Sequence, residues 1–381
     1  MSKRSAFFVF FVVAATVLGL GAPALADDIV NGTLGPGARY RLVRPTLWNG
    51  ALVVYAHGFV SPEEPVAIPP DAEVAIAGFA AQGFAVAVSS FSETGWAVKD
   101  GTQRTHQLLG IFTSKFGAPT RVYAAGGSMG GLIAIRLVET YPGKFVGLFA
   151  ACPVAGGLRP ELDYFANVRV LFDLFYPGVL PGTLVDVPTG IDVTSDIILP
   201  AIMAMSANPT GAATIARITQ TPVPVASAPE LIQSIVTALV GASDYPHVLS
   251  LTHGRPFFDN SATVYTGALS SATLQLINAN VQRFSASPAG LNYIDHNYTP
   301  TGDLQIPALT ISTFRDPLAP GFHRILYGAA VAAAGSSELL VQRSVAGIAN
   351  GYGHCTFTPQ ELATAFSDLV QWVEFGITPT P

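Results

Sequence analysis

The sequence is poor in charged residues and in cysteine. Of its 381 residues, 12% are Asp, Glu, Lys or Arg, and two, Cys152 and Cys355, are cysteines. It has no long run of Lys or Arg, and its formal net charge is −6, so it lacks the basic footprint of a nucleic-acid-binding protein. The low charge also argues against intrinsic disorder, which needs high charge and few large apolar groups. Half of the residues are hydrophobic, which is enough for a large core.

The first 26 residues have the pattern of a secretory signal peptide. A basic start, MSKR, precedes the apolar stretch SAFFVFFVVAATVLGLG, and Ala24-Leu25-Ala26 offers a small-x-small cleavage site. The alternative is an uncleaved anchor, because the apolar stretch approaches the length that spans a bilayer. The later sequence has no unbroken apolar segment of that length. We therefore expect a secreted or periplasmic protein with no stable membrane span once residues 1–26 are removed.

Export changes the meaning of the two cysteines. Outside the reducing cytosol, Cys152 and Cys355 are candidates for a disulfide bond. Two cysteines so far apart are too few for a metal site of the usual kind, so we expect no metal site.

Short apolar strands alternate with helix-length stretches in two parts of the chain. The candidate strands are 51–59, 83–91, 121–127, 145–154, 306–314 and 338–345. The clearest helical stretches are 71–82, 102–116 and the amphipathic segment 358–376. Continuous apolar strands that alternate with helices are typical of a sheet covered on both faces. The sequence therefore predicts an α/β protein with a doubly wound, mostly parallel sheet.

The alternation stops at about residue 156 and resumes at about residue 303. The segment between consists of Pro-punctuated apolar pieces that look helical where they are long enough. No repeat period is evident. We therefore predict a core formed by residues 27–155 and 303–381, split by an inserted, largely helical cap or lid at 156–302 that is comparable in size to a small domain.

One serine lies in a glycine-rich turn between an apolar strand and an apolar helix. The stretch Gly126-Gly127-Ser128-Met129-Gly130 matches the pattern G-x-S-x-G, which is weak by itself in a chain with 37 glycines. The preceding strand and the following LIAIRLVETYP supply the strand–turn–helix context of a nucleophile elbow. Neither the Walker spacing nor G-x-G-x-x-G is present, so a phosphate-binding loop is disfavoured. We predict that Ser128 is a nucleophile.

A serine hydroxyl is a poor nucleophile at neutral pH and needs a base that an acid orients. In this architecture the chain order is Ser, acid, His. Of the seven histidines, His354 lies in a glycine-rich loop after the last candidate strand and is the predicted base. Asp316 follows the strand 306–314 and is the predicted acid. The alternatives Asp303 and Asp295 precede that strand.

An oxyanion formed at a carbonyl needs two preorganised backbone donors. The N–H of Met129, directly after Ser128, is the first predicted donor. The second is the N–H of Phe59, in the YAHGFV loop, where Gly58 allows the backbone to approach. His57 in the same loop lies too early in the chain order to be the base.

Four motifs, HGF, GGSMGG, DP and GHC, occur in this order along the chain. This order resembles the α/β-hydrolase superfamily, and more narrowly its secreted bacterial serine esterases and lipases. The resemblance covers roughly 45–155 and 303–376, and implies a doubly wound sheet of about eight strands, a catalytic triad and no metal or organic cofactor. It does not cover 156–302, which corresponds to the variable cap in which substrate choice lies.

The resemblance gives the two cysteines a location. Cys152 follows the strand after the nucleophile helix and Cys355 adjoins His354, so both are expected near the carboxyl edge of the sheet. We predict a disulfide between them, which would tie the His354 loop to the core. The alternative is two unrelated buried thiols.

The expected activity is hydrolysis of small-molecule or polymeric carboxylic esters through an acyl-enzyme. The apolar cap suits an apolar acyl or alcohol group, and its few charges offer no anchor for a charged peptide. The second hypothesis is a secreted serine peptidase or an acyltransferase. A catalytically inactive binding protein of the same fold is a third, which the intact set of Ser128, Asp316 and His354 disfavours.

Overall fold

A computed structural model describes residues 27–223 and 228–381 of the chain. The predicted signal peptide, residues 1–26, lies outside the described residues. Within the described ranges, no helix combines the length and the apolar character needed to cross a bilayer.

Eight strands form one sheet. Their bounds are β1 Asp28–Leu34, β2 Ala38–Arg44, β3 Ala51–Ala56, β4 Ala85–Ser89, β5 Arg121–Gly127, β6 Gly147–Ala151, β7 Ala308–Thr313 and β8 Leu340–Val345. The strand order across the sheet is β1-β2-β4-β3-β5-β6-β7-β8. The pairs β1–β2 and β2–β4 are antiparallel and all other pairs are parallel. The predicted fold class, a doubly wound and mostly parallel sheet, is confirmed.

Helices cover both faces of the sheet. Those outside the inserted segment are α1 Pro70–Ala80, α2 Val98–Phe116, α3 Met129–Thr140, α11 Phe322–Ala333 and α12 Pro359–Phe375. Side chains of α1 and α12 pack in one apolar cluster with one face of the sheet, and those of α2, α3 and α11 pack in a second cluster on the other face. Burial from both sides explains why β3 and β4 are continuous apolar runs with no polar face.

The strand order switches at the centre of the sheet, on either side of β3. The connection after β3 leads to β4 on one side, whereas β5 pairs with β3 on the other side. In open α/β sheets, ligands bind where the strand order switches, outside the carboxyl ends of the strands. Ser128 directly follows β5, so it lies at this switch point.

The apolar runs found in the sequence correspond to β3 through β8, although several of the predicted strands extend two or three residues too far. The sequence analysis assigned no strand to the hairpin β1–β2. These two strands lie at the edge of the sheet and mix exposed and buried positions, so they lack the continuous apolar run of the central strands.

The chain between β6 and β7 is mostly helical. Its α-helices are α4 Leu158–Phe175, α5 Leu199–Ala207, α6 Pro209–Thr219, α7 Ala228–Ala242, α8 Tyr245–Leu251, α9 Ser271–Asn280 and α10 Pro288–Tyr298, and a π-helical turn spans Val193–Ile198. These helices fall within the segment 156–302. The division of the chain into a core and a cap stays a prediction.

Helix α3 holds the end of this inserted segment. The Arg136 guanidinium donates to the carbonyl of Thr299 at 2.7 Å. The Glu139 carboxylate accepts the backbone N–H of Thr301 at 2.7 Å and that of Gly302 at 2.8 Å. Burial raises the pKa of Glu139. The helix that begins directly after Ser128 therefore also fixes the point where the inserted segment returns to the sheet.

The close approach of α3 to β3 leads to a stability prediction. A Cβ at Gly130 would collide with the carbonyl oxygen of Ala56, whereas a Cβ at Gly110 on α2 would meet open space. Gly130→Ala should therefore destabilise the protein by about 1–3 kcal/mol, because backbone must move to admit the methyl group. Gly110→Ala, the matched control, should stabilise it by about 0.5–1 kcal/mol. Urea unfolding of both variants checks this, and a Gly130→Ala variant as stable as the parent would contradict it.

Candidate active site

Ser128 lies in a tight turn between β5 and α3. Its backbone has φ 58° and ψ −126°, a conformation that costs energy for a residue with a side chain. A Cβ at Gly126 would collide with the carbonyl of Gly130, so the turn requires glycine at position 126. Ser128 therefore occupies the strand–turn–helix context predicted from the sequence.

Backbone hydrogen bonds fix this turn against the neighbouring strand. The N–H of Ser128 donates to the carbonyl of Ala151 at 2.9 Å, at the end of β6. The carbonyl of Ser128 accepts the N–H of Gly131 at 3.0 Å and that of Val154 at 3.4 Å. Both the backbone N–H and the backbone carbonyl of the strained serine are therefore hydrogen-bonded.

The His354 imidazole lies between Ser128 and Asp316. Its Nε2 is 2.8 Å from Ser128 Oγ, and its Nδ1 is 2.8 Å from Asp316 Oδ2. The Asp316 side chain is 2% exposed and that of His354 is 11% exposed. Because a carboxylate only accepts, Nδ1–H donates to Asp316, and the lone pair of Nε2 faces the serine hydroxyl.

Two backbone N–H groups complete the surroundings of the Asp316 carboxylate. Its Oδ1 accepts from Leu318 and from Ala319, each at 2.9 Å. Burial lowers the pKa of His354, but the Asp316 charge and hydrogen bond outweigh burial, so the net shift of that pKa is upward. The site therefore favours a base stronger than burial alone would allow.

The loops that carry Asp316 and His354 are paired through their backbones. Arg315 N–H donates to the carbonyl of Gly351 at 2.7 Å, and Gly353 N–H donates to the carbonyl of Arg315 at 3.0 Å. The residues directly before Asp316 and directly before His354 are thereby joined. No sequence pattern predicted this pairing. It fixes the distance between the loops that carry Asp316 and His354.

Neither alternative acid contacts His354. Asp303 Oδ1 accepts from the side-chain amide of Gln305 at 2.6 Å. Asp295 on α10 forms an ion pair with Arg159 at 2.8 Å. The structure brings Asp316 alone of the three candidates to the imidazole.

The first predicted oxyanion donor directly follows Ser128 in the chain, and the residue before the second borders Ser128 in space. Met129 is the first residue of α3, and the first N–H groups of a helix have no partner within it. A Cβ at Gly58 would be 3.6 Å from Ser128 Cβ, so the residue before Phe59 borders the serine. The Phe59 ring packs on Trp96 with centroids 5.2 Å apart. The role of both N–H groups stays a prediction.

The predicted disulfide is present. Cys152, directly after β6, is bonded to Cys355, and their Cα atoms are 5.4 Å apart. Cys355 Sγ is 3.5 Å from His354 Nε2. Both half-cystines have positive φ, 42° and 54°. The bond ties the loop of the proposed base to the strand next to Ser128. The sulfurs of Cys152 and Cys355 lie close to the His354 imidazole, a grouping that resembles a set of metal ligands. Because the sulfurs are bonded to each other, they lack the thiolate charge that binds metals.

Sequence reasoning missed a buried pair beside these residues. His323 Nε2 is 2.8 Å from Glu161 Oε2, and the side chains are 2% and 0% exposed. The N–H of Gly156 donates to His323 Nδ1 at 3.1 Å, which leaves the ring proton on Nε2. Burial raises the pKa of Glu161 well above its usual value and lowers that of His323 to about 3. A lone Glu on a helix gives no sign of such burial, so no sequence signal identifies the pair.

The comparisons with known proteins concern structure. No protein-family model matches the sequence, and no curated protein matches it. Feruloyl esterase B from Aspergillus oryzae is 16% identical over 92% of this chain and 80% of its own, with a TM-score of 0.46. A Pyrococcus furiosus esterase is 12% identical over 93% of this chain and 95% of its own, with a TM-score of 0.47.

Brefeldin A esterase, described as a bacterial homologue of human hormone sensitive lipase, is 15% identical, with a TM-score of 0.43. The alignment covers 95% of this chain and 80% of that one. Each of these alignments is a similarity of structure at low sequence identity. The function proposed below depends on the geometry of the site itself.

The disulfide leads to a prediction for the thiols and for stability. The denatured, unreduced protein should show no reactive thiol, and reduction should release two, from Cys152 and Cys355. A Cys152→Ala/Cys355→Ala double variant should lose about 2–5 kcal/mol of stability, because the bond closes a long loop. Thiol titration and guanidinium unfolding measure these effects. Two reactive thiols before reduction would contradict the bond.

Proposed function

We propose that the protein is a secreted serine hydrolase that cleaves carboxylic esters through an acyl-enzyme. The observation that carries this proposal is the chain of two 2.8 Å hydrogen bonds from Ser128 through His354 to Asp316. The strained turn at Ser128 supports it, because strain of this kind concentrates at functional sites.

In the acylation step, Ser128 Oγ attacks the ester carbonyl carbon while its proton passes to His354 Nε2. The carbonyl oxygen becomes an oxyanion and accepts the N–H groups of Met129 and Phe59. His354 then gives the proton to the alcohol oxygen as the bond from that oxygen to the acyl carbon breaks. The alcohol leaves, and the acyl group stays on Ser128.

Deacylation repeats the route with water as the nucleophile. His354 takes a proton from water, the hydroxide oxygen attacks the acyl carbon, and the same proton returns to Ser128 Oγ as the acid departs. Asp316 holds the imidazole in the tautomer that leaves Nε2 free, and its charge stabilises the imidazolium formed in each half. The upward shift in the pKa of His354 reflects this stabilisation.

We further propose that residues 27–155 and 303–381 form the catalytic core and that 156–302 acts as a cap over it. Two contacts support a cap that borders the site. Tyr164 on α4 donates to the carbonyl of Pro317, directly after Asp316, at 3.3 Å. Ser234 on α7 is hydrogen-bonded to the Tyr352 hydroxyl at 2.9 Å. The disulfide agrees with an oxidising compartment outside the cytosol.

Replacement of the nucleophile tests the proposal most directly. Ser128→Ala should lower kcat/KM for p-nitrophenyl esters by roughly 10⁴-fold or more, because no other group can form the acyl-enzyme. The midpoint of thermal unfolding should stay near that of the parent. A fluorophosphonate probe should label the parent and leave the variant unlabelled. Substantial ester turnover by Ser128→Ala would refute the assignment, and parallel assays on peptide amides would expose a peptidase.

The pKa of His354 gives a pH prediction. His354 must be neutral to accept the Ser128 proton, so activity should fall as pH drops through its pKa, at a midpoint above the usual 6.5. Asp316→Asn removes the charge that raises this pKa. Its kcat should fall roughly 10³–10⁴-fold and the residual acid limb should move to lower pH. The pH profile of kcat/KM measures both effects, and an acid limb that stays in place or moves upward would argue against Asp316 as the partner.

A further inference from the structure

The charges of the chain are unevenly distributed around the proposed site. Residues 45–98, which include the loop of the predicted donor Phe59, contain no Lys or Arg. The same stretch contains five acidic residues: Glu63, Glu64, Asp71, Glu73 and Glu93. This segment therefore carries five negative charges with no Lys or Arg to balance them.

Asp71 is the acidic residue of this segment that the structure brings to the serine. It lies in the first turn of α1, and its Oδ2 is 3.4 Å from the backbone N of Gly58, which donates to it. A Cβ at Gly58 would be 3.6 Å from Ser128 Cβ and 3.9 Å from Asp71 Oδ2. One methyl-sized space therefore separates this exposed carboxylate from the nucleophile.

No basic side chain neutralises Asp71 within the described ranges. Glu73, two residues later on the same helix, forms an ion pair with Arg41 of β2. No such ion pair involves Asp71 among the described residues. The neighbouring His57 cannot supply a charge, because burial lowers its pKa. The carboxylate of Asp71 is therefore left with a single weak backbone donor.

A second acidic residue of this region is Asp244. Burial, and to a smaller extent the charge of Glu63, raise its pKa to about 7. Asp244 directly precedes α8, and His247 of that helix accepts the backbone N–H of Trp96 at 3.2 Å. The ring of Trp96 is the one that packs on Phe59. Asp244 therefore adjoins a helix that contacts Trp96, whereas Asp71 contacts the predicted donor loop itself.

We propose that Asp71 makes this site selective for esters that carry a positive charge, such as an ammonium group in the acyl or alcohol part, over neutral and anionic esters. The inference rests on the proposed esterase function and names its substrate class. A unit charge held about 7 Å from a carboxylate at a protein surface gains enough energy for a preference of about tenfold.

The test compares two esters of equal shape and different charge. A choline ester and the corresponding 3,3-dimethylbutyl ester differ only in that the quaternary nitrogen of choline is replaced by carbon. Both esters carry the same acyl group, chosen as the one whose p-nitrophenyl ester the protein cleaves fastest. Asp71 also opposes the developing oxyanion, but both substrates form the same oxyanion, so this effect cancels in the ratio of their kcat/KM values.

Asp71→Asn removes the charge and keeps an oxygen that can accept from Gly58. The parent should favour the choline ester by about tenfold at low ionic strength, and the variant should lose this preference. Added salt at about 0.5 M should reduce the preference of the parent, because salt screens an exposed charge. Glu73→Gln on the same helix is the matched control and should keep the ratio of the parent.

The outcomes separate this inference from the proposed function. Equal ratios in the parent and in Asp71→Asn, with Ser128-dependent turnover of both esters, would overturn the role of Asp71 and leave the esterase intact. A ratio that falls equally in Glu73→Gln would assign the preference to general surface charge and would also overturn it. Ester turnover that survives Ser128→Ala would overturn the proposed function, and the inference with it.

Discussion

The site depends on the position of one imidazole. His354 is separated by 226 residues from Ser128 and by 38 from Asp316, yet it lies 2.8 Å from each. Parallel strands make this possible, because β5, β7 and β8 all end at the same edge of the sheet. The disulfide to Cys152 and the backbone pairing at Arg315 then restrict the His354 loop from two directions.

The inserted segment takes part in this restriction. Its contacts reach Pro317, next to Asp316, through Tyr164, and Tyr352, two residues before His354, through Ser234. A displacement of α4 or α7 would therefore alter groups adjacent to Asp316 and His354. The positions of the Asp316 and His354 loops are in this way linked to α4 and α7.

The sequence was informative where one local pattern determined the structure. Uniform burial of the central strands left continuous apolar runs, and the turn at Ser128 required glycine at a spacing that can be recognised. The hairpin β1–β2 left no such run because it lies at a half-exposed edge. The Glu161–His323 pair could not be predicted from the sequence, because its partners are 162 residues apart and both are removed from water only in the folded chain.

Two buried histidine–carboxyl pairs in this protein have opposite electrostatic outcomes. His323 bonds to Glu161 and its pKa falls, whereas His354 bonds to Asp316 and its pKa rises. The difference lies in the carboxyl groups, since Asp316 Oδ1 accepts two backbone N–H groups. Glu161 Oε1 has no partner among the described residues, so burial favours its neutral form.

A buried carboxylate can stabilise an imidazolium only if its own charge is already stabilised. The two N–H groups of the turn after β7 provide this at Asp316, and they do so because Pro317 and the residues after it fold back over the carboxylate. The chemistry available at His354 is therefore set by the backbone of a neighbouring loop. The carboxyl group of the Glu161–His323 pair lacks such backbone donors within the described part of the chain, and burial favours the neutral form of both residues.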